Sequence, residues 1–283
     1  MEWLGRRQSD NVVDARGGGG MRTAGALGGG GIIIAIIYAL LGGDPRVILD
    51  QTQPQSAPVA SAPATPASAS SDPQRAFVGV VLADTEDVWT KVFASMGRRY
   101  EDPKLVLFSG RVDTACGGAS SAVGPFYCPR DRQVYLDLNF FTEMSNRLGA
   151  KGDFARAYVI AHEIGHHVQN LLGVEGQASA QRRGASESAS NRVSVGLELQ
   201  ADCLAGVWAK QTDSAKHVLE PGDVEEAMGA AAAVGDDRLQ QRSRGYVVPD
   251  SFTHGTSAQR VAAFSKGFDG GDLPACGITG VAH

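Results

Sequence analysis

The sequence predicts an α+β domain. Three observations carry that expectation: a long helical pattern beginning at Asp153, a second helical stretch from about Asn191 to Gln211, and an alternating strand pattern from Gln133 to Leu138. In the first helix, Phe154, Ala157, Tyr158, Ile160, Ala161, Ile164, Val168, Leu171 and Leu172 recur at helical spacing, Asp153 is placed to cap the start, and Gly173 to end it. In the second, Val195, Leu199, Leu204, Val207 and Trp208 share an apolar side. In the strand, Val134, Leu136 and Leu138 alternate with Tyr135 and Asp137. A shorter helix is expected from Ser257 to Phe264.

The first helix carries the chemistry. His162 and His166 stand four residues apart, so at 3.6 residues per turn they project from one face, one turn apart, and two imidazoles can reach one metal ion. Glu163 between them is placed to act on a water molecule at that metal rather than on the metal itself. His-Glu-x-x-His on a helix thus predicts one zinc per chain, held with a third protein ligand and one open position. A third histidine six residues on, preceded by glycine at the midpoint, would complete one class of site, but those positions hold Leu172 and Gln169. In the second helix, Glu198 and Asp202 again lie one turn apart. This suits a ligand carboxylate followed by an acid that binds the far nitrogen of a metal-bound histidine. His167 points about 100° from the metal face and is given no metal role. His217 and His283 have no partner pattern and read as surface residues.

His162-Glu163-x-x-His166 followed by Glu198-x-x-x-Asp202 resembles the gluzincin pattern of thermolysin-like and membrane Ste24/HtpX-like peptidases. From about Val78 to Phe268 the chain is similar to the bacterial neutral zinc metallopeptidase family. The phrases that carry this likeness are Ala115-Cys116-Gly117, Gly124-Pro125-Phe126-Tyr127-Cys128-Pro129, Val134-Tyr135-Leu136-Asp137-Leu138, the His162 to His167 helix, Glu198-Leu199-Gln200-Ala201-Asp202-Cys203, and Phe252-Thr253-His254-Gly255 leading to Gln259-Arg260. The resemblance implies a gluzincin-like domain with His162, His166 and Glu198 on zinc and Glu163 as general base. It also implies that His254, with Arg260 behind it, stabilises the oxyanion, with Tyr246 as the competing donor. The likeness further favours Gln133 to Leu138 as an edge strand to which an extended peptide could add; periodicity alone fits an interior strand equally well. Peptides or unfolded proteins are the partners that follow.

Before the domain, Thr23 to Gly43 forms a stretch of 21 residues without a charge, ending in the apolar run Ile32 to Leu41. It is long enough to cross a bilayer core and reads as one transmembrane helix. Arg6, Arg7, Arg16 and Arg22 outnumber Asp10 and Asp14 ahead of it, which predicts a cytoplasmic N-terminus and a periplasmic or extracellular domain. A cleaved signal peptide is the rival, but Ala60-Ser61-Ala62 lies too far from the apolar run. Residues 1–22 then read as a cytoplasmic segment, 23–43 as the anchor, 44–74 as a Pro/Ala/Ser-rich linker and 75–283 as the metallopeptidase domain. A net charge of −5 with no basic stripe argues against nucleic acid as a partner.

Four cysteines form an even set, which in an oxidising compartment suggests two bridges. Of the three pairings, Cys116 with Cys128 and Cys203 with Cys276 is favoured. A second zinc held by thiolates lacks any close Cys-x-x-Cys pair, and free buried thiols, Cys203 first among them, are the other alternative. These readings converge on a membrane-anchored zinc endopeptidase. A membrane-tethered, zinc-stabilised peptide-binding module without turnover is the alternative, and Glu163 argues against it, because a structural site has no use for a carboxylate between its two histidines.

Overall fold

The computed structural model describes residues 1–16 and 72–279, and the architecture is mixed α+β. Strand β1 (Val12–Asp14) precedes helix α1 (Pro73–Ser95), whose first turn is capped by the Asp72 carboxylate accepting from the backbone of Gln74 and Arg75. Strands β2 (Lys104–Phe108), β3 (Arg111–Thr114), β4 (Gly117–Ser120), β5 (Phe126–Cys128) and β6 (Gln133–Asp137) follow. The rest is helical: α2 (Asn139–Glu143), which runs into a π-turn at Met144–Leu148, then α3 (Asp153–Leu171), α4 (Val174–Arg182), α5 (Glu187–Lys216), α6 (Asp223–Ala233), α7 (Asp236–Arg244) and α8 (Ser257–Gly270).

One four-stranded sheet has the order β1-β2-β6-β5, and β3 with β4 forms a separate hairpin. β1, β2 and β6 run parallel and β5 pairs antiparallel. Both sheet faces are covered. Leu105, Leu107, Val134 and Leu136 point into the main core against the helices, while Val106, Phe108, Cys128 and Tyr135 form a small cluster on the other face, beneath Val112 of the hairpin. The strand expected at an edge is therefore interior: β6 lies between β2 and β5. Its alternation reflects two buried faces, Val134 and Leu136 on one and Tyr135 and Asp137 on the other, and a period of two cannot distinguish that from an edge.

The helices pack at unusually short range where two of them lack side chains. A Cβ at Gly165 of α3 would lie 3.0 Å from the Ala201 carbonyl oxygen of α5, and one at Gly267 of α8 would lie 1.9 Å from the Cys203 carbonyl oxygen. Glycine at these points lets α5 lie between α3 and α8 close enough for short side chains to meet. Trp208, fully buried on α5, stacks on Phe154 of α3, and truncation to alanine there would cost about 3–5 kcal/mol. The disulfides pair Cys116 with Cys128 and Cys203 with Cys276, tying the hairpin to β5 and α5 to the C-terminal turn.

The membrane expectation requires correction. The span read at residues 23–43 lies outside the described residues, and among the described residues no helix is long and apolar enough to cross a membrane. Residues 1–16, moreover, are part of the same body as residues 72–279. Val12, Val13 and Asp14 pair with Leu105, Val106 and Leu107, Arg6 binds Asp84 at 2.6 Å, and Arg16 binds Asp72 at 2.7 Å. A single crossing between residues 16 and 72 would put β1 and β2 on opposite sides of a bilayer, which their pairing forbids. The single-pass arrangement, with a cytoplasmic N-terminus and an exported domain, does not stand.

Candidate active site

Helix α3 brings its two histidines to the floor of a cleft of about 720 Å³, and α5 crosses behind it at Gly165 and Ala201. That crossing delivers Glu198. Its Oε2 lies 3.1 Å from His162 Nε2 and its Oε1 lies 3.4 Å from His166 Nε2, and one ligand atom from each of the three residues lies within 4.8 Å of the others. Each histidine has its other nitrogen committed. His162 Nδ1 is 2.8 Å from Asp202 Oδ1, and His166 Nδ1 donates to Gln169 Oε1 at 2.9 Å. With both Nδ1 atoms acting as donors, the Nε2 atoms are the ones left to face Glu198. Two imidazoles, in the neutral form that a metal requires, and a carboxylate converging in a largely buried site are the donor set of a zinc ion with one position left open, so the residues present fit that metal.

The second row of contacts is an ion-pair network. Asp202 is fully buried and accepts from Arg260 Nε at 2.8 Å and Nη2 at 2.9 Å. The Tyr158 hydroxyl also donates to Asp202, and in turn accepts from Arg260 Nη2 at 3.2 Å. Burial by itself would raise the Asp202 pKa, but the guanidinium and His162 outweigh it and hold the carboxyl below its usual value. Burial would likewise lower the His162 pKa, and Asp202 with Glu198 outweighs that, lifting it to about 10. Glu163, buried on the same helix and lining the cleft, moves the other way from an ordinary carboxylate: desolvation raises its pKa, with the two histidines opposing and Glu198 assisting.

His254 lines the same cleft, but the contacts expected around it differ. Arg260, buried, is bound to Asp202 and Tyr158 and does not orient His254. Asp236, at the first position of α7, does so instead. Its Oδ2 accepts from the backbone N–H groups of Thr253, His254 and Gly255 at 2.8, 2.6 and 3.0 Å, and its Oδ1 lies 3.2 Å from His254 Nδ1. Tyr246 is 60 % exposed and is not among the residues lining the cleft. His167 turns away from the metal face: its Nε2 donates to the Glu101 carbonyl at 2.7 Å, so its Nδ1 accepts from the Tyr127 hydroxyl at 3.0 Å. Burial drives its pKa down to about 4, and the ring is neutral. His217 is exposed at the end of α5, and His283 lies outside the described residues.

Four contributors were not anticipated. Tyr158 and Gln169 stand four residues before His162 and three after His166, helical spacings that would have flagged them. Tyr127 lies in the cleft wall on β5. Asp236 carries no comparable signal, since it is 18 residues from His254 in sequence and meets it only through the fold.

This donor set fits a zinc ion. The chain belongs to the family described as "Putative neutral zinc metallopeptidase", which it matches over residues 1–278. It is 48% identical over 288 residues to the uncharacterized protein YpfJ of Escherichia coli (strain K12), an alignment covering 99% of each chain. It is also 44% identical over 250 residues to the uncharacterized protein Mb2605 of Mycobacterium bovis, covering 84% of this chain and 83% of the relative. The uncharacterized protein Rv2575 of Mycobacterium tuberculosis matches over the same extent. No solved structure matches the chain.

Proposed function

We propose that the protein hydrolyses peptide bonds in unfolded or extended polypeptides as a zinc-dependent endopeptidase. The observation that carries this reading is Glu163, a carboxylate buried at the cleft floor on the helix that holds His162 and His166, whose ring nitrogens face Glu198. His162, His166 and Glu198 would hold the metal. Zinc, when bound, supplies Lewis-acid polarisation of a carbonyl oxygen and acidifies a water molecule. Glu163 takes the proton of the attacking water and passes it to the leaving nitrogen, and its raised pKa suits a group that must hold that proton between the two steps. His254, kept in place by Asp236, donates to the oxygen on which negative charge develops. Phe126 and Tyr127 of β5 and Gly117 and Ala119 of the hairpin line the cleft with strand backbone, which suits an extended chain.

The test is Glu163→Gln in the purified protein. Zinc content should stay at the wild-type level while cleavage of an unfolded substrate falls by 10²-fold or more, about the contribution of a general base. Equal cleavage by both proteins, or by neither, would sink the reading.

A further inference from the structure

Gln169, fully buried near the end of α3, joins two of the residues that would hold zinc. Its Oε1 accepts from His166 Nδ1 at 2.9 Å, and its Nε2 donates at 2.8 Å to the carbonyl oxygen of Leu197, the residue before Glu198. The same Nε2 also donates to Gln200 Oε1 at 3.0 Å, and Gln200 Nε2 donates to the Cys276 carbonyl oxygen at 3.1 Å. Cys276 ends the short turn Pro274–Cys276 and is held to α5 by its disulfide with Cys203. The run of bonds goes from His166 on α3, through α5, to the C-terminal turn. It is possible because α3 and α5 cross closely at Gly165 and Ala201, which brings the two backbones within reach of one amide side chain.

Two backbone carbonyls fix the direction of every bond in this run. A carbonyl oxygen only accepts, so the amide atom facing Cys276 is Nε2 of Gln200 and the one facing Leu197 is Nε2 of Gln169. Each amide then turns its oxygen the other way: Gln200 offers Oε1 to Gln169, and Gln169 offers Oε1 to His166. An amide oxygen cannot donate, so the His166 ring keeps its proton on Nδ1. Its Nε2, 3.4 Å from Glu198 Oε1, is the nitrogen left for a metal. The oxygen and both N–H groups of Gln169 are satisfied, as a fully buried amide requires. An apolar side chain would fill the same space without the cost of desolvating an amide, but Nδ1 would lose its acceptor and α3 its bond to the backbone beside Glu198.

We propose that Gln169 and Gln200 are positioning residues of the metal site: an amide relay, anchored on the Leu197 and Cys276 carbonyls, that keeps the proton of His166 on Nδ1 and fixes the ring's distance from Glu198. The proposal rests on the reading of His162, His166 and Glu198 as zinc ligands, and it makes the C-terminal turn a support of that site. The two histidines are then held by different chemistry, His162 by the buried pair of Asp202 and Arg260, His166 by neutral amides. A neutral relay orients the second ring without adding a charge to a site that already sets Glu163, Glu198 and Asp202 around the histidines.

The test uses the full chain with zinc as the probe and does not depend on peptide hydrolysis. Gln169→Met keeps the length of the side chain and removes its hydrogen bonds; Gln200→Met does the same one link further out. Zinc affinity, measured against a competing chelator, should fall about 10- to 100-fold in Gln169→Met, the usual cost of changing the group behind a metal-bound histidine, and by less in Gln200→Met. Isotope labelling of the histidine nitrogens adds an NMR readout that lost packing alone would not move. In the zinc-loaded wild type, His162 and His166 should each show an Nδ1–H proton protected from exchange with water. Gln169→Met should lose the His166 signal and keep that of His162. A wild type that takes up no zinc would sink the metal reading and the relay with it. Wild-type affinity with both protected protons in Gln169→Met would overturn the relay alone, as would loss of both signals together, the mark of a general loosening. Should Gln169→Met fail to fold, Gln200→Met decides, since that side chain is only partly buried: weaker zinc binding with faster exchange at His166 supports the relay, and wild-type values overturn it.

Discussion

Arg260 donates from two nitrogens to both oxygens of Asp202, and through that carboxylate it fixes the Nδ1 side of His162 without touching the cleft face of the ring. The pairing depends on the absence of side chains at Gly165 and Gly267, because those positions set how close α3, α5 and α8 approach. A structural charge network and the proposed metal-ligand set thus share one histidine.

Asp202→Asn keeps the size of the side chain but weakens the hold on both Arg260 and His162. Zinc affinity should fall about 10- to 100-fold, as is usual when a group behind a metal-bound histidine is changed. Arg260→Ala leaves Asp202 buried without its cation and should cost about 3–5 kcal/mol of stability. Zinc titration with a competing chelator and thermal melts check the two. If Arg260→Ala lowered neither stability nor zinc affinity, the network would carry no weight.

Glu198→Ala removes the carboxylate that faces both imidazoles. The purified variant should retain little or no zinc by elemental analysis, whereas Glu163→Gln should retain the wild-type amount. Equal zinc in wild type and Glu198→Ala would remove Glu198 from the ligand set.

His254→Phe separates a donor to the transition state from a structural histidine. Losing one such donor costs about 10² to 10³ in turnover, so kcat should fall by that factor with zinc content unchanged and KM little affected. Asp236→Asn should reproduce much of the loss, because Asp236 fixes both the ring and the backbone at residues 253–255. Tyr246→Phe should be close to wild type, given that Tyr246 lies outside the cleft lining. Full kcat in His254→Phe with a loss in Tyr246→Phe would reverse the two roles.

What the sequence disclosed follows from how local each feature is. His162, Glu163 and His166, and separately Glu198 and Asp202, sit at helical spacings of one turn, so the residues that face one another could be named from the chain alone. The two cysteine pairings favoured from the sequence are the ones present. Arg260 was named, but its partner was not: the family resemblance placed it behind His254, while α8 turns Arg260 toward α5. Asp236 was invisible because its partnership is made by a turn 17 to 19 residues away. The edge assignment of β6 failed because both of its neighbours, β2 and β5, are set by the fold, and an alternation of period two fits an interior strand as well as an edge.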